Sequence, residues 1–278
     1  MERNGDNMSY KLIAIDIDGT LLTSDKKLTE HSLNVMKEAE AAGLYCVLAT
    51  GRVAANVKEI YGPLGLKSPC ICSGGAQVVD GNFNMIHTCY IPNPIVKDIL
   101  NFAKEKDVHV QIFNGENFYF EKQSKWPEIY SGISGLNPVV TPDLHEWPIE
   151  KLDTPKVLIL AEPDRLLEVQ AEAMERFPML NIGRSRPTFL EMNNPEGNKG
   201  NALKALEAML GLKQEELIAI GDNQIDESMI LYAGLGVAIG NALDEIKDVS
   251  DYISPDNDHE GVAHVIEKFM LGREPKVF

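Results

Sequence analysis

The chain has 278 residues, enough for one large domain or two of moderate size, and enough to build a core without disulfide staples. Apolar residues make up 44% and charged residues 24%, which excludes disordered, collagen-like and low-complexity classes. With 42 acidic against 26 basic side chains the formal net charge is −16, so the average field repels nucleic acid and anionic membrane, and an anionic ligand needs cationic help at its own site.

The start, Met1 to Ser9, is polar and lacks the apolar core of a signal peptide. No run approaches the roughly 20 apolar residues that span a bilayer, so a cytoplasmic location without a membrane partner is expected. Leu-Ile-Ala-Ile then runs straight into Asp16-Ile17-Asp18-Gly19-Thr20, a short apolar run that reads as a strand buried on both faces and ending in carboxylates. Thr29 is placed to cap a helix with Leu33, Met36 and Ala39 on one face, closing at Gly43. Tyr45 to Ala49 reads as a second buried strand and ends in Thr50-Gly51-Arg52. A helix follows, and a third strand near Cys70 to Ser73 breaks at Gly74-Gly75, as an ordinary tight turn or a place where substrate approaches the backbone.

From about Cys89 to Met192 the texture changes. Asn93-Pro94 reads as an N-cap followed by Pro, opening a helix with Ile95, Ile99 and Phe102 on one face. Asn114-Gly115 predicts a hairpin between Val108–Phe113 and Phe118–Phe120, with the phenylalanines in a local core. A Pro- and Gly-rich stretch, a strand Val157 to Leu160, a helix after Pro163 and two short strands near Leu180–Ile182 and Thr188–Met192 complete an α+β layer. After Lys199 the alternation resumes: a helix to Gly211, a strand Leu217 to Ile220 ending in Gly221-Asp222, a helix, a strand Val237 to Ile239, and a helix near Gly261 to Leu271. Alternating β and α predicts an α/β fold, a doubly wound parallel sheet of Rossmann-like type, interrupted by an inserted α+β domain. The expected division is a split core, 1–88 and 193–278, around an insert at 89–192.

In such a sheet ligands bind beyond the carboxyl ends of the strands. Three strands carry polar residues there: Asp16 and Asp18, then Thr50, then Asp222 with Asp226. Any one of these aspartates alone would more often cap the next helix. Gathered on one edge, they repel one another unless a cation neutralises them, and hard oxygen donors suit Mg²⁺. Gly19 lets the chain turn after Asp16 and present N–H groups inward, an anion-binding concavity. One carboxylate can then serve as nucleophile while its neighbour does acid–base work. The four cysteines, Cys46, Cys70, Cys72 and Cys89, form no paired metal-ligand motif and read as reduced thiols.

These residues resemble the haloacid dehalogenase superfamily of phosphohydrolases. Asp16-Ile17-Asp18-Gly19-Thr20-Leu21 is similar to its first motif, Thr50-Gly51-Arg52 to its second, Lys199-Gly200 to its third, and Gly221-Asp222 with Asp226 to its fourth. The insert between the second and third motifs resembles the large-capped, Cof-type branch, as do Gly236 to Ala242 and Glu260-Gly261-Val262-Ala263. The resemblance implies that Asp16 attacks phosphorus and becomes an aspartyl phosphate, while Asp18 protonates the leaving oxygen and then activates water. It implies that Asp16, Asp222 and the backbone carbonyl of Asp18 hold Mg²⁺ with Asp226 as acidic support, that Thr50 donates to the phosphoryl group, and that Lys199 neutralises charge. Gly51, Arg52 and Asn223 are the remaining candidates on the core for substrate binding.

One departure stands within the fourth motif: Ile225 occupies a position where that branch carries an Asn that helps hold phosphate or metal-bound water. Either Asn223 or a water takes its place, or activity is lowered. Arg184 and Arg186, two apart on an expected strand, should share one side of the insert's sheet. That side either faces the core and contacts the leaving group, or is a solvated edge. The expected function is a Mg²⁺-dependent phosphatase of small phosphate esters, with a phosphomutase or phosphotransferase of the same superfamily, or a catalytically weak phosphometabolite-binding regulator, as alternatives.

Overall fold

The computed structural model describes residues 10–276, so the polar start read above lies outside the described residues. In chain order the elements are β1 (Leu12–Asp16), α1 (Glu30–Ala41), β2 (Tyr45–Ala49), α2 (Ala54–Tyr61), β3 (Cys70–Cys72), β4 (Gln77–Val79) and β5 (Met85–Thr88). There follow α3 (Asn93–Glu105), β6 (His109–Asn114), β7 (Asn117–Phe120), α4 (Trp126–Ser134), β8 (Asn137–Val140), β9 (Lys156–Leu160), α5 (Pro163–Arg176), β10 (Asn181–Arg186) and β11 (Phe189–Asn193). The chain closes with α6 (Lys199–Leu210), β12 (Leu217–Gly221), α7 (Glu227–Tyr232), β13 (Leu235–Ala238), α8 (Asp244–Asp248), β14 (Tyr252–Ile253) and α9 (Gly261–Val265), which runs on as a wider π-helical turn, Ile266–Met270. No helix among the described residues is long and apolar enough to cross a membrane. The described residues form two compact units, one from 10–52, 57–87 and 198–276, the other from 53–56 and 88–197.

The first unit is built on one eight-stranded sheet in the order β14-β13-β12-β1-β2-β3-β4-β5. Pairing is parallel from β14 to β3 and antiparallel from β3 to β4. Every residue of β1 and β12 is buried, which is why both read as unbroken apolar runs. Strand alternation sends Leu12, Ala14, Val47, Ala49, Leu217 and Ala219 to one face, against Ala202, Leu203 and Leu206 of α6 and Met229 of α7. On the opposite face α1 packs on β2 and against α9. Thr29 caps α1 by accepting the Ser32 N–H. Each large aliphatic side chain so buried contributes about 1.5–3 kcal/mol, and together they hold the strand ends in register.

That register places the site. From β1 the chain builds outward to β2 and β3 on one side and later to β12, β13 and β14 on the other. The strand order therefore reverses between β1 and β12, and the crevice at their carboxyl ends receives Asp16 and Gly221-Asp222 together. Ala49 lies beside Asp16 in the β1–β2 ladder, so Thr50 follows at the same edge.

The second unit has its own six-stranded sheet, β10-β11-β9-β6-β7-β8, antiparallel except where β7 meets β8. Ile112, Val157, Ile159, Leu190 and Met192 form a core with Ile99 and Phe102 of α3 and Leu166 and Val169 of α5. The opposite face buries Phe113, Phe118, Phe120, Leu158, Leu160 and Phe189 with Tyr130 of α4. The helix α4 lies inside the stretch read as Pro- and Gly-rich; Pro127 sits in its first turn, Gly135 ends it, and exposed Ile129 and Ile133 obscure its apolar period. Asn93 is not the cap of α3 but its first residue, because its side chain donates to Asp153 Oδ1 at 2.9 Å while Pro92 takes the boundary.

Candidate active site

The buried strand β1 ends at Asp16, and the next five residues, Ile17–Leu21, form a tight π-type turn. Gly19 makes that turn possible twice over. Its φ of +97° lies in the left-handed region, and a Cβ there would fall 2.6 Å from Asp222 Oδ2. Thr20 Oγ1 donates to Asp222 Oδ1 at 2.9 Å, so the turn after β1 fixes the carboxylate at the end of β12. Thr20 stood in the first motif without a role; only the fold, which brings β1 beside β12, gives it one.

Lys199 opens α6 and is completely buried. Its ammonium donates to Asp16 Oδ1 at 2.6 Å and to Asp226 Oδ1 at 2.5 Å. The helix can start this close because of Gly75, where a Cβ would lie 2.2 Å from the Asn198 carbonyl. What approaches the backbone at Gly75 is thus the start of α6, while Gly74, at a φ of +67° with open space beside it, serves the tight turn. Asp226 uses its second oxygen, Oδ2, to accept the N–H groups of Asp222 and Asn223, each at 3.1 Å. Asp226 therefore ties the β12 loop to the lysine.

These positions shift the ionisation of each group. Burial pushes the Asp16 carboxyl up to about 7; the Lys199 charge opposes this, and Asp226 and Asp222 reinforce it. Asp222 is also raised, chiefly by burial and against the Thr20 hydrogen bond. Burial alone would lower Lys199, but Asp16 and Asp226 outweigh it and hold the ammonium above its ordinary value. Asp18 goes the other way. Arg52 donates to it in a two-pronged pair, Nε to Oδ2 at 2.8 Å and Nη2 to Oδ1 at 2.7 Å, and holds it below the usual carboxylate range.

Thr50 is buried, and its Oγ1 accepts the Arg52 N–H at 3.1 Å. Gly51 is exposed, with Ile225 Cδ1 4.0 Å from where a Cβ would stand. Ile225 itself is 57% exposed beside the second motif. Asn223 Oδ1 accepts the Gln224 N–H at 2.7 Å, which commits that oxygen to the loop. Arg184 and Arg186 both lie on β10, but they do not share a side of its sheet. A bulge separates them: Arg184 pairs with Leu190 and Arg186 with Phe189, neighbours on β11 that point to opposite faces. Arg186 overlies the Phe189 ring at 5.6 Å, and the simple two-residue alternation expected from the sequence fails there.

One carboxylate oxygen each from Asp16, Asp222 and Asp226 lies within 4.8 Å of the others. Four carboxylates, Asp16, Asp18, Asp222 and Asp226, meet two ion-pairing cations, Lys199 and Arg52, and Lys26 adds a weaker attraction at Asp18, so a negative surplus stays on Asp16, Asp222 and Asp226. Buried oxygen donors with that surplus fit a hard divalent cation such as Mg²⁺.

The profile of the haloacid dehalogenase-like hydrolases matches residues 13–266 of the chain. The chain is 32% identical over 267 residues to the 5-amino-6-(5-phospho-D-ribitylamino)uracil phosphatase YcsE of Bacillus subtilis, covering 96% of this chain and 98% of that protein. It is 28% identical over 265 residues to the HMP-PP phosphatase of Serratia proteamaculans, covering 94% of this chain and 96% of that one. The crystal structure of TM0651 from Thermotoga maritima superposes with a TM-score of 0.84 at 32% identity, covering 93% of this chain and 97% of the other. The chain belongs to the haloacid dehalogenase-like hydrolases and is a phosphatase of their large-capped, Cof-type branch.

Proposed function

We propose that this phosphatase hydrolyses small phosphorylated metabolites in the cytoplasm, with Mg²⁺ and through an aspartyl phosphate on Asp16. The observation that carries the reading is the buried Lys199 clamped between Asp16 and Asp226, with Asp222 held beside them by Thr20. Mg²⁺ would be held by Asp16, Asp222 and the Asp18 carbonyl, with Asp226 in support; when bound it supplies charge neutralisation for the transferring phosphoryl group.

In the first step an Asp16 oxygen attacks phosphorus, the bond from phosphorus to the leaving oxygen breaks, and that oxygen takes a proton from Asp18. In the second, water attacks the aspartyl phosphate, gives its proton to Asp18, and the bond from phosphorus to Asp16 breaks, freeing inorganic phosphate. Arg52 keeps Asp18 ionised, the state in which it accepts the water proton. For the first step that pair must open, and an incoming phosphate competing for the guanidinium would open it. Lys199 offsets charge on Asp16 and on the phosphoryl group, and Thr50 donates to the latter.

The inserted domain is assigned the choice of leaving group. The substrates named for the two relatives, a phosphoribitylamino-uracil and HMP-PP, point to phosphate esters of sugars or of heterocyclic cofactor precursors. The test is a phosphate-release screen over such esters with Mg²⁺ or with a chelator, run beside Asp16→Asn. Release that is lost in the variant and in chelator is expected; release that survives Asp16→Asn removes the assigned nucleophile.

A further inference from the structure

The turn Ile17–Leu21 carries Asp18 and Gly19, and it is a single π-type turn of five residues with non-helical dihedrals at Asp18 and Gly19; the Leu22 N–H closes it on Ile17 O at 3.0 Å. Two asparagines from the far end of the chain complete it. Asn241, in the loop after β13, donates through Nδ2 to Gly19 O at 2.8 Å. Asn257, in the loop after β14, donates through Nδ2 to Leu22 O at 2.8 Å. The two are coupled to each other, because the Asn257 N–H donates to Asn241 Oδ1 at 3.0 Å.

The geometry points to Asn241 and Asn257 as a linked pair of positioning residues that fix the Asp18 turn from outside, one holding its middle and the other its exit. The Asn241 amide both donates and accepts, and the Asn257 amide donates to a carbonyl of the turn's exit, a service that a side chain of similar size without the amide cannot perform. The loops that carry them are themselves anchored on the site strands. Ile239 N–H donates to Gly221 O at 3.1 Å, and Leu243 N–H to Asp222 O at 3.0 Å, so the stretch holding Asn241 is bonded at both ends to the loop that carries Asp222. Asn241 thereby ties the Asp222 loop to the Asp18 turn, in addition to the Thr20–Asp222 bond. The pair touches no reacting atom; it acts by keeping Asp18 within the narrow geometry that proton transfer needs.

This inference rests on the proposed reaction, and the experiment separates the two. Asn241→Leu and Asn257→Leu keep side-chain size and remove the amide without adding charge to an already acidic edge. Ser24→Ala, which deletes a bond from Ser24 Oγ to Asp258 farther along the same loop, is the control. With the best ester from the screen, each asparagine variant is expected to lose about tenfold in kcat, the worth of one hydrogen bond that positions a reacting group, while KM stays within about twofold. Hydrogen exchange at the Gly19 to Leu22 amides should accelerate in both variants, with Ser24→Ala unchanged in rate and exchange. Wild-type kcat in both asparagine variants, or a loss that merely follows the unfolded fraction seen by circular dichroism, overturns the positioning role. Activity surviving in Asp16→Asn would instead remove the reaction on which the role depends.

Discussion

Replacing Lys199 by Met removes one charge and keeps much of the side-chain volume. In the wild type the ammonium is fully buried and lies 2.6 Å from Asp16 and 2.5 Å from Asp226. Its loss leaves two carboxylates facing each other in the same buried space, and breaking a buried pair in this way costs about 3–5 kcal/mol. The cost should depend on pH. Burial already raises Asp16 to about 7, and Lys199 is the influence that opposes the rise, so the variant's carboxyl moves higher still. A carboxyl with a raised folded-state pKa binds more protons folded than unfolded, so its stability contribution is present at low pH and lost as pH rises through the folded value. Lys199→Met should therefore be about 3–5 kcal/mol less stable than wild type at pH 8.5 and recover part of that by pH 5.5, in metal-free buffer. Urea unfolding should be followed by circular dichroism, because both tryptophans, Trp126 and Trp147, lie in the second unit. Phosphate release with Mg²⁺ should fall by roughly 10²–10³-fold, the scale of losing one charge-stabilising group. A variant as stable as wild type at pH 8.5, or one whose deficit grows on acidification, would refute the buried-triad reasoning.

Gly19→Ala places a Cβ 2.6 Å from Asp222 Oδ2 at a φ of +97°; displacing that turn by even about 1 Å should lower kcat on the order of 10²-fold, measured by phosphate release. The bulge between Arg184 and Arg186 predicts unequal effects of their separate Ala replacements on kcat/KM; equal losses would contradict their division between two faces. His109 is held down to about 4 by burial, so its folded form resists the proton that the unfolded chain accepts near 6.5. Stability should fall as pH drops through 6.5, by about 2 kcal/mol at pH 5, and His109→Gln should flatten that slope in tryptophan-monitored unfolding.

The first motif and the strands around it were legible because β1, β2 and β12 are buried on both faces, and such strands announce themselves as apolar runs with polar ends; Lys199, at the start of α6, was picked out through its resemblance to a family motif. What the sequence hides is whatever depends on contacts between distant segments. Thr20 and Asp222 are 202 residues apart, and Asn241 and Gly19 are 222 apart, so no local pattern pairs them. The helix α4 escaped because its exposed Ile129 and Ile133 blur the 3.6-residue period, and the Arg184–Arg186 geometry because the two-residue alternation was applied across a bulge that Gly183 and Pro187 flank. Ile225 stood out as a departure in its motif, and its exposed place beside Gly51 puts an apolar side chain at an otherwise polar edge.

The net charge of −16 sets the deeper problem, since a phosphate ester approaching this chain meets a repulsive average field. The network at the strand ends does not reverse that sign by itself, because Lys199 and Arg52 face four carboxylates and each cation is already paired. Lys199 is consumed by Asp16 and Asp226, and Arg52 by Asp18. A divalent cation would cancel the surplus negative charge at Asp16, Asp222 and Asp226, which makes anion binding conditional on the cation, while the arriving phosphate itself competes with Asp18 for the guanidinium. That ordering has a chemical merit. With Asp16 near 7 beside a neighbour's charge, the proposed nucleophile would be partly protonated until a cation arrives, and neutralising that neighbour would lower its proton affinity and ready it for the proposed attack. The same acidic surplus that bars anions from the rest of the surface thus confines phosphate chemistry to the one edge where a cation can be held.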